Sequence, residues 1–291
     1  MKAIAPGKLV LTGAYAVLDG APAIVAAVDR YAVADASRAD IDDDRPPEVD
    51  VRALYDQSGR KLGLGSSAAA LVASLGARAL ARGEDPRSSG VRARIFREAR
   101  EAHAREQGGG SGVDIAASVH GGVLRYAVDA RGDANIRPLD LPPRVHLAAY
   151  DSGMSARTSD MRARFDASRP SLAASGLLTA LADLANRASA AAEAGDGLSF
   201  IRASHEFGCA LAAVGKACDA PIVPPPFAEL AALADREAAA FLPSGAGGGD
   251  AGVWLGLAPP SAAFALRARA LSMRPLALNI DRGGLRAESS S

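Results

Sequence analysis

The chain has 291 residues, 49% of them hydrophobic and 23% charged, with 33 basic side chains against 33 acidic ones. That composition suits a folded globular protein of one large or two modest domains and excludes disorder over most of the length. The charge balance leaves no global field to attract nucleic acid or an anionic membrane, so any anion site must be local.

Pro6 and Gly7 interrupt the N-terminal segment, and no apolar run reaches the roughly 18 residues of a membrane span, so neither secretion nor insertion is expected and the chain reads as cytoplasmic. From residue 8 to 35, glycine turns alternate with β-prone runs, and VDVRALY at 49–55 predicts another strand after the polar loop 40–48. Ser66 or Ser67 can cap a helix whose apolar positions Leu71, Val72, Leu75 and Ala79 share a face and which Gly83 stops. A second helix is expected over 89–107, followed by strand-like GGVLRYAV and VHLAAYDSG. Helical patterns, among them Phe227, Leu230, Ala234 and Phe241, dominate 158–241, with AGVWLGLA and PLALNI as late strands. Cys209 and Cys218 read as buried thiols of one helix, and the tail RGGLRAESSS reads as frayed. A strand-rich first half and a helix-rich second half predict an α+β protein in two lobes, 1–142 and 143–291, divided at Pro142–Pro143.

Two compositional features point to chemistry. The chain has only four lysines, Lys2, Lys8, Lys61 and Lys216, and the other 29 basic residues are arginines. Lys8 follows Pro6–Gly7 and Lys61 precedes GLGSSAA, and a compact ammonium beside a small-residue turn is something arginine's planar fork does not copy. A glycine- and serine-rich turn opening a helix aims unpaired backbone N–H groups at one spot, which suits a phosphate. Three further small-residue clusters, PGKLVLTGAYAVLDG at 6–20, GGGSGVDIAASVHGG at 108–122 and PSGAGGGDAGVWLG at 243–256, complete a set of four.

The series PGKL, TGAYAVLDG, KLGLGSSAA, GSGVDIAASVHGG and PSGAGGGD resembles the motif series of the GHMP kinases, in that superfamily's order and over nearly the whole chain. Lys61 directly before the phosphate loop, SARTSD at 155–160 and Asp250 at the end of SGAGGGD are most like the bacterial phosphomevalonate kinase branch. The resemblance implies a two-lobed α+β fold, with an N-terminal lobe like ribosomal protein S5 domain 2, a ferredoxin-like C-terminal lobe and the site in the cleft. It implies ATP and Mg²⁺ as cofactors, with Gly63, Leu64, Gly65, Ser66, Ser67, Ala68 and Ala69 around the phosphates and Ser67 favoured over Ser66 as a metal ligand. Asp114 aligns with the catalytic aspartate, Lys8 with the lysine that pairs with it, and Lys61 joins them as a catalytic cation. Tyr15, Ser155, Arg157, Thr158, Ser244, Gly245, Ala246 and Gly247 are the expected acceptor-binding residues, the last four in a glycine wall running to Gly248.

Acceptor chemistry divides the nearest branches. An alcohol needs a base such as Asp114 to take or orient its proton. A phosphate acceptor is mostly ionised near neutral pH, its second pKa being about 6, so cations that offset repulsion matter more. Lys8, Lys61 and Arg157 together with Mg²⁺ supply such a set, which favours phosphomevalonate over mevalonate or another small acceptor. Two departures stand against the pattern: Ala14 occupies a position where relatives commonly carry glutamate, and Asp56–Arg60 is a short connection where relatives often have an insertion. Ala14 also admits a catalytically weakened homologue that only binds ligand. Glu101, His103 and Glu106 compete for the place of a helix acid that supports Mg²⁺ in some relatives.

Overall fold

A computed structural model describes residues 1–39, 47–107, 109–154 and 158–288. In chain order the elements are β1 (Lys2–Thr12), β2 (Ala23–Asp35), β3 (Val49–Asp50), α1 (Ser66–Ala81), α2 (Ser89–Gln107), α3 (Val113–His120), β4 (Val123–Val128), β5 (Ala134–Leu139) and β6 (His146–Asp151). They continue as α4 (Thr158–Ala174), α5 (Leu177–Glu193), α6 (Gly197–Ala217), α7 (Pro225–Arg236), β7 (Ala240–Pro243), β8 (Ala251–Gly256), α8 (Ala262–Ala270), β9 (Arg274–Leu276) and β10 (Arg286–Ala287). One sheet has the order β10-β1-β2-β4-β5, with β3 on β2, and a second has the order β7-β8-β6-β9. Mixed helix and sheet is the α+β class expected. Among the described residues no helix is long and apolar enough to cross a membrane.

The chain forms two compact units that are not the stretches on either side of Pro142–Pro143: Met1–Leu9, Val25–Leu124 and Asn279–Ser291 make one, and Val10–Ile24 with Arg125–Leu278 makes the other. In the first, α1, α2 and α3 pack against one another. Of the tail 282–291, expected to fray, residues 282–288 are built into this unit, and 289–291 lie outside the described residues. Leu285 is wholly buried, a burial that stabilises by about 1.5–3 kcal/mol. The buried Asp281 carboxylate accepts from Tyr31 Oη at 2.7 Å and from the Gly283 and Gly284 amides at 3.0 and 2.7 Å, and it pairs with Arg286 at 2.9 Å. Leu285 N donates to Val119 O at 3.1 Å, which satisfies a carbonyl at the end of α3.

In the second unit, β6–β9 form an antiparallel sheet whose aromatic core joins Tyr150, Phe227, Phe241, Trp254 and Phe264, with the Trp254 and Phe264 rings 4.5 Å apart in a T-shaped arrangement. Asp196 and Ser261 cap α6 and α8 by accepting from Ser199 N and Phe264 N. Several local expectations are corrected. VDVRALY keeps only two strand residues before a 3₁₀ turn, PLALNI keeps two, Pro275 and Leu276, and Phe241 lies in β7 rather than a helix. Cys209 is exposed, while Cys218, just past α6, is buried.

Candidate active site

The loop Gly63–Ala69, expected to hold phosphates, lies in the first unit. Gly63 and Gly65 are both left-handed, at φ 73° and 76°, and between them Leu64 turns into the core with 1% exposure. Gly65, not a serine, is the N-cap of α1, and no side chain caps the helix start. Ser66 and Ser67 therefore occupy the first turn, where helical N–H groups lack partners within the helix and the dipole favours an anion. Ser66 is buried and Ser67 is half-exposed, so Ser67 has the more accessible hydroxyl of the pair.

Lys8 lies against this loop. Its amide donates to Leu64 O at 2.8 Å and its ammonium to Gly63 O at 3.1 Å, while the residue as a whole is 9% exposed. A Cβ on Gly65 would come within 2.9 Å of Lys8 Cγ and 3.1 Å of Cε, so glycine is needed here for space as well as for backbone conformation. Lys61 is exposed, in a β-bridge with Tyr55 that closes the connection Asp56–Arg60. Asp56 organises that connection by accepting from Ser58 N, Ser58 Oγ and Arg60 N at 2.7–3.0 Å, bonds that hold its carboxyl down to a pKa of about 2.

Asp114 lies in the first turn of α3, after Gly112 as N-cap. Its Oδ1 accepts from Ile115 N at 3.0 Å, and its Oδ2 is 3.9 Å from Nε2 of His103, a side chain only 5% exposed. The ammonium of Lys8 donates to the loop carbonyl, and the carboxylate of Asp114 lies beside the His103 imidazole. Of the three α2 candidates, Glu101 and Glu106 are exposed and His103 is buried beside Asp114.

The remaining motif residues lie in the second unit. Tyr15 is 6% exposed, with φ at 62°, a region that non-glycine residues seldom enter. Its hydroxyl donates to Ala246 O at 2.7 Å, its ring is 4.6 Å from that of Phe165 on α4, and burial pushes its phenol well above the ordinary range. Ser244 Oγ accepts from Val10 N at 2.9 Å. Beyond it, Gly248 N donates to Ile222 O at 3.0 Å and Asp250 N to Met154 O at 3.1 Å. A Cβ on Gly247 would lie 2.1 Å from Ile222 O. The run Ser244–Gly245–Ala246–Gly247 is therefore a braced loop, anchored on motif one, on the turn at 222 and on residue 154. Thr158 opens α4, and Ser155 and Arg157 lie outside the described residues. Ala14 is buried at 9% exposure, so no carboxylate stands at that position. Phe165, which steadies Tyr15, was not marked by the motif reading, because an aromatic at helical spacing carries no signal of its own.

The loop and helix start fit a nucleotide polyphosphate, since the uncapped turn and the Lys8 ammonium are donors without bulk. The accessible Ser67 hydroxyl is the one the loop offers a metal. Among the described residues no cluster of three His, Cys, Asp or Glu could hold an ion. That donor set suits Mg²⁺ arriving with phosphate oxygens and waters rather than a dedicated protein cage.

No family model matches the chain. In sequence it is 28% identical to the phosphomevalonate kinase of Streptomyces sp. (strain CL190), over 86% of this chain and 88% of that protein. Among solved structures it matches the Lin0012 protein from Listeria innocua with a TM-score of 0.84 at 23% identity, covering 99% of this chain and 100% of that one. The Streptococcus pneumoniae phosphomevalonate kinase in complex with phosphomevalonate and AMPPNP matches at 0.79 and 18% identity, over 96% of this chain and 99% of that one. The L. major mevalonate kinase in complex with R-mevalonate matches at 0.67 and 18% identity, over 93% and 91% respectively.

Proposed function

We propose that this chain, which has the GHMP kinase fold and resembles phosphomevalonate kinase in sequence, transfers the γ-phosphoryl group of ATP to (R)-5-phosphomevalonate, releasing ADP and (R)-5-diphosphomevalonate. It would act in the mevalonate route to isoprenoids, in the cytoplasm. A phosphate oxygen of the acceptor attacks the γ-phosphorus as the bond to the β–γ bridging oxygen breaks. Residues 1–142 are assigned as the N-terminal ATP-binding domain, which also brings Lys61 and Tyr15 to the acceptor, and 143–291 as the C-terminal domain.

The observation that carries the reading is the placement of two of the chain's four lysines at one loop: Lys8 buried against it and Lys61 exposed just before it. Two polyanions must meet for this reaction, and fixed cations lower the barrier most where water is excluded. In this reading Gly63–Ala69 cradles the phosphates, with Ser67 as the hydroxyl toward Mg²⁺. The ion, when bound with nucleotide, neutralises phosphate charge. Lys8 stabilises the transferring group, and Lys61 offsets the one and a half to two negative charges, roughly, of the acceptor phosphate. Tyr15 and Ser244–Gly247, with Ser155, Arg157 and Thr158, are assigned to the acceptor.

A second reading, mevalonate kinase, is favoured by the Asp114–His103 pair, since a carboxylate beside an imidazole suits accepting an alcohol proton. ADP release with phosphomevalonate, mevalonate, galactose and homoserine separates these readings. A preference for mevalonate would overturn the first, and turnover of none of them would favour a ligand-binding homologue.

A further inference from the structure

We propose that the buried hydroxyl of Ser118 is a positioning group that sets Lys8 and Asp114 relative to each other; the inference rests on the roles given above to those two residues. Ser118 lies four positions after Asp114 on α3, so the two share a helix face one turn apart. It is wholly buried, and its Oγ donates to Pro6 O at 2.8 Å, across 112 positions of sequence.

Pro6 stands two residues before Lys8 in β1. The other side of the same short stretch is gripped by the phosphate loop: Lys8 N donates to Leu64 O at 2.8 Å, and a Cβ on Gly7 would lie 2.7 Å from that same oxygen. Pro6–Gly7–Lys8 is therefore held between two elements, the loop on one side and α3 on the other. Ser118 is the side chain through which α3 takes hold.

The hydroxyl needs an explanation that packing does not give. The other buried residues of α3 are Ile115, Ala116, Ala117 and Val119, all apolar. Alanine would fit the helix better at this position, because serine has the lower helical propensity and tends to bond local backbone. Here its bond leaves the helix for a distant strand. What the hydroxyl adds is a fixed register between the helix that carries Asp114 and the strand that carries Lys8. A displacement of about 1 Å in a phosphoryl-transfer site costs on the order of 100-fold in rate.

The test is a double-mutant cycle. Ser118→Ala should lower kcat by about 10- to 100-fold while the KM values for ATP and acceptor stay within about twofold. In a Lys8→Met background the same substitution should cost less than about twofold further, because the residue it acts through is already gone. Ser118→Cys, close in size and a weak donor, should recover part of the loss. Unchanged kcat in Ser118→Ala, or an equal loss in both backgrounds, would overturn the proposal.

Hydrogen exchange supplies a readout that does not depend on the acceptor. Amides of residues 7–9 and 113–119 should exchange faster in Ser118→Ala, with those of α5 and α6 unchanged. Unaltered exchange in both segments would overturn the inference whatever the enzyme's substrate. Wild-type inactivity with phosphomevalonate would count against the functional reading alone.

Discussion

Gly65→Ala tests the coupling between the phosphate loop and Lys8. The added methyl would lie 2.9 Å from Lys8 Cγ and 3.1 Å from Cε, so the buried lysine stem must shift to admit it. The backbone cost is separate: an L-residue held at φ 76° loses about 1–2 kcal/mol, which should lower Tm by about 2–8 °C in a chain of this size. Displacing the stem disturbs the 3.1 Å bond from the ammonium to Gly63 O, and a fall of about 10- to 100-fold in kcat is expected. Gly83→Ala is the matched control. It sits at φ 74° with nothing within 4 Å of the new carbon, so it carries the strain without the crowding. A coupled ADP assay and a thermal melt on both variants decide the matter. The reasoning is refuted if Gly65→Ala and Gly83→Ala lose the same Tm and show the same kcat.

Asp114→Asn should reduce kcat by about 10²- to 10⁴-fold with little change in either KM, the pattern of a group acting in the transition state; loss of binding with normal residual turnover would make it a structural residue. Lys61→Met should cost about 2 kcal/mol of transition-state stabilisation, the low end for a charge-stabilising donor because Lys61 is exposed, and should weaken discrimination in favour of phosphomevalonate; steady-state kinetics with phosphomevalonate and mevalonate checks it, and an effect confined to ATP binding sinks the assignment. The Asp56 carboxyl, held down chiefly by its bond from the Ser58 hydroxyl, has a folded pKa below its unfolded one. The order it lends to the loop before Lys61 is therefore fully present above about pH 4 and lost as pH falls through about 2. An NMR titration of Asp56 with its midpoint near 4 would contradict this.

The glycine turn that opens α1 could be read from the chain because its determinants are contiguous: two glycines, two serines and the start of a helix lie within a few residues of one another. Lys8 stood out by rarity. Its bond to Gly63 O, 55 positions away, had no local trace, nor did the approach of His103 to Asp114. Helical periodicity carried Phe241 into a helix because a buried strand residue and a buried helix residue look alike over one turn. The unit boundaries escaped notice for a related reason. Composition shifts mark linkers, but the first unit is assembled from three stretches, and β1 passes out of it after Leu9 without any break in pattern. The tail RGGLRAE looked frayed because its one large apolar residue, Leu285, carries no periodicity of its own. Its burial comes from α1, where a Cβ on Gly76 would meet Leu285 at 2.5 Å.

That docked segment has a consequence for how the protein matures. Asp29 and Asn279 bond to each other across 250 positions, as do Tyr31 and Asp281, with residues 125–278 of the other unit lying between them in the chain. Closing a loop of that length costs about 5 kcal/mol of chain entropy in the ideal-chain limit and is expected to be slow. The first unit must therefore finish late, after a ribosome or a refolding chain has passed through nearly the whole sequence. Until Leu285 reaches Val119 and Gly76, α3 lacks the partner for its last carbonyls and α1 lacks part of its cover. The helix carrying Asp114 and the helix that opens at Ser66 are thus completed together in one late event.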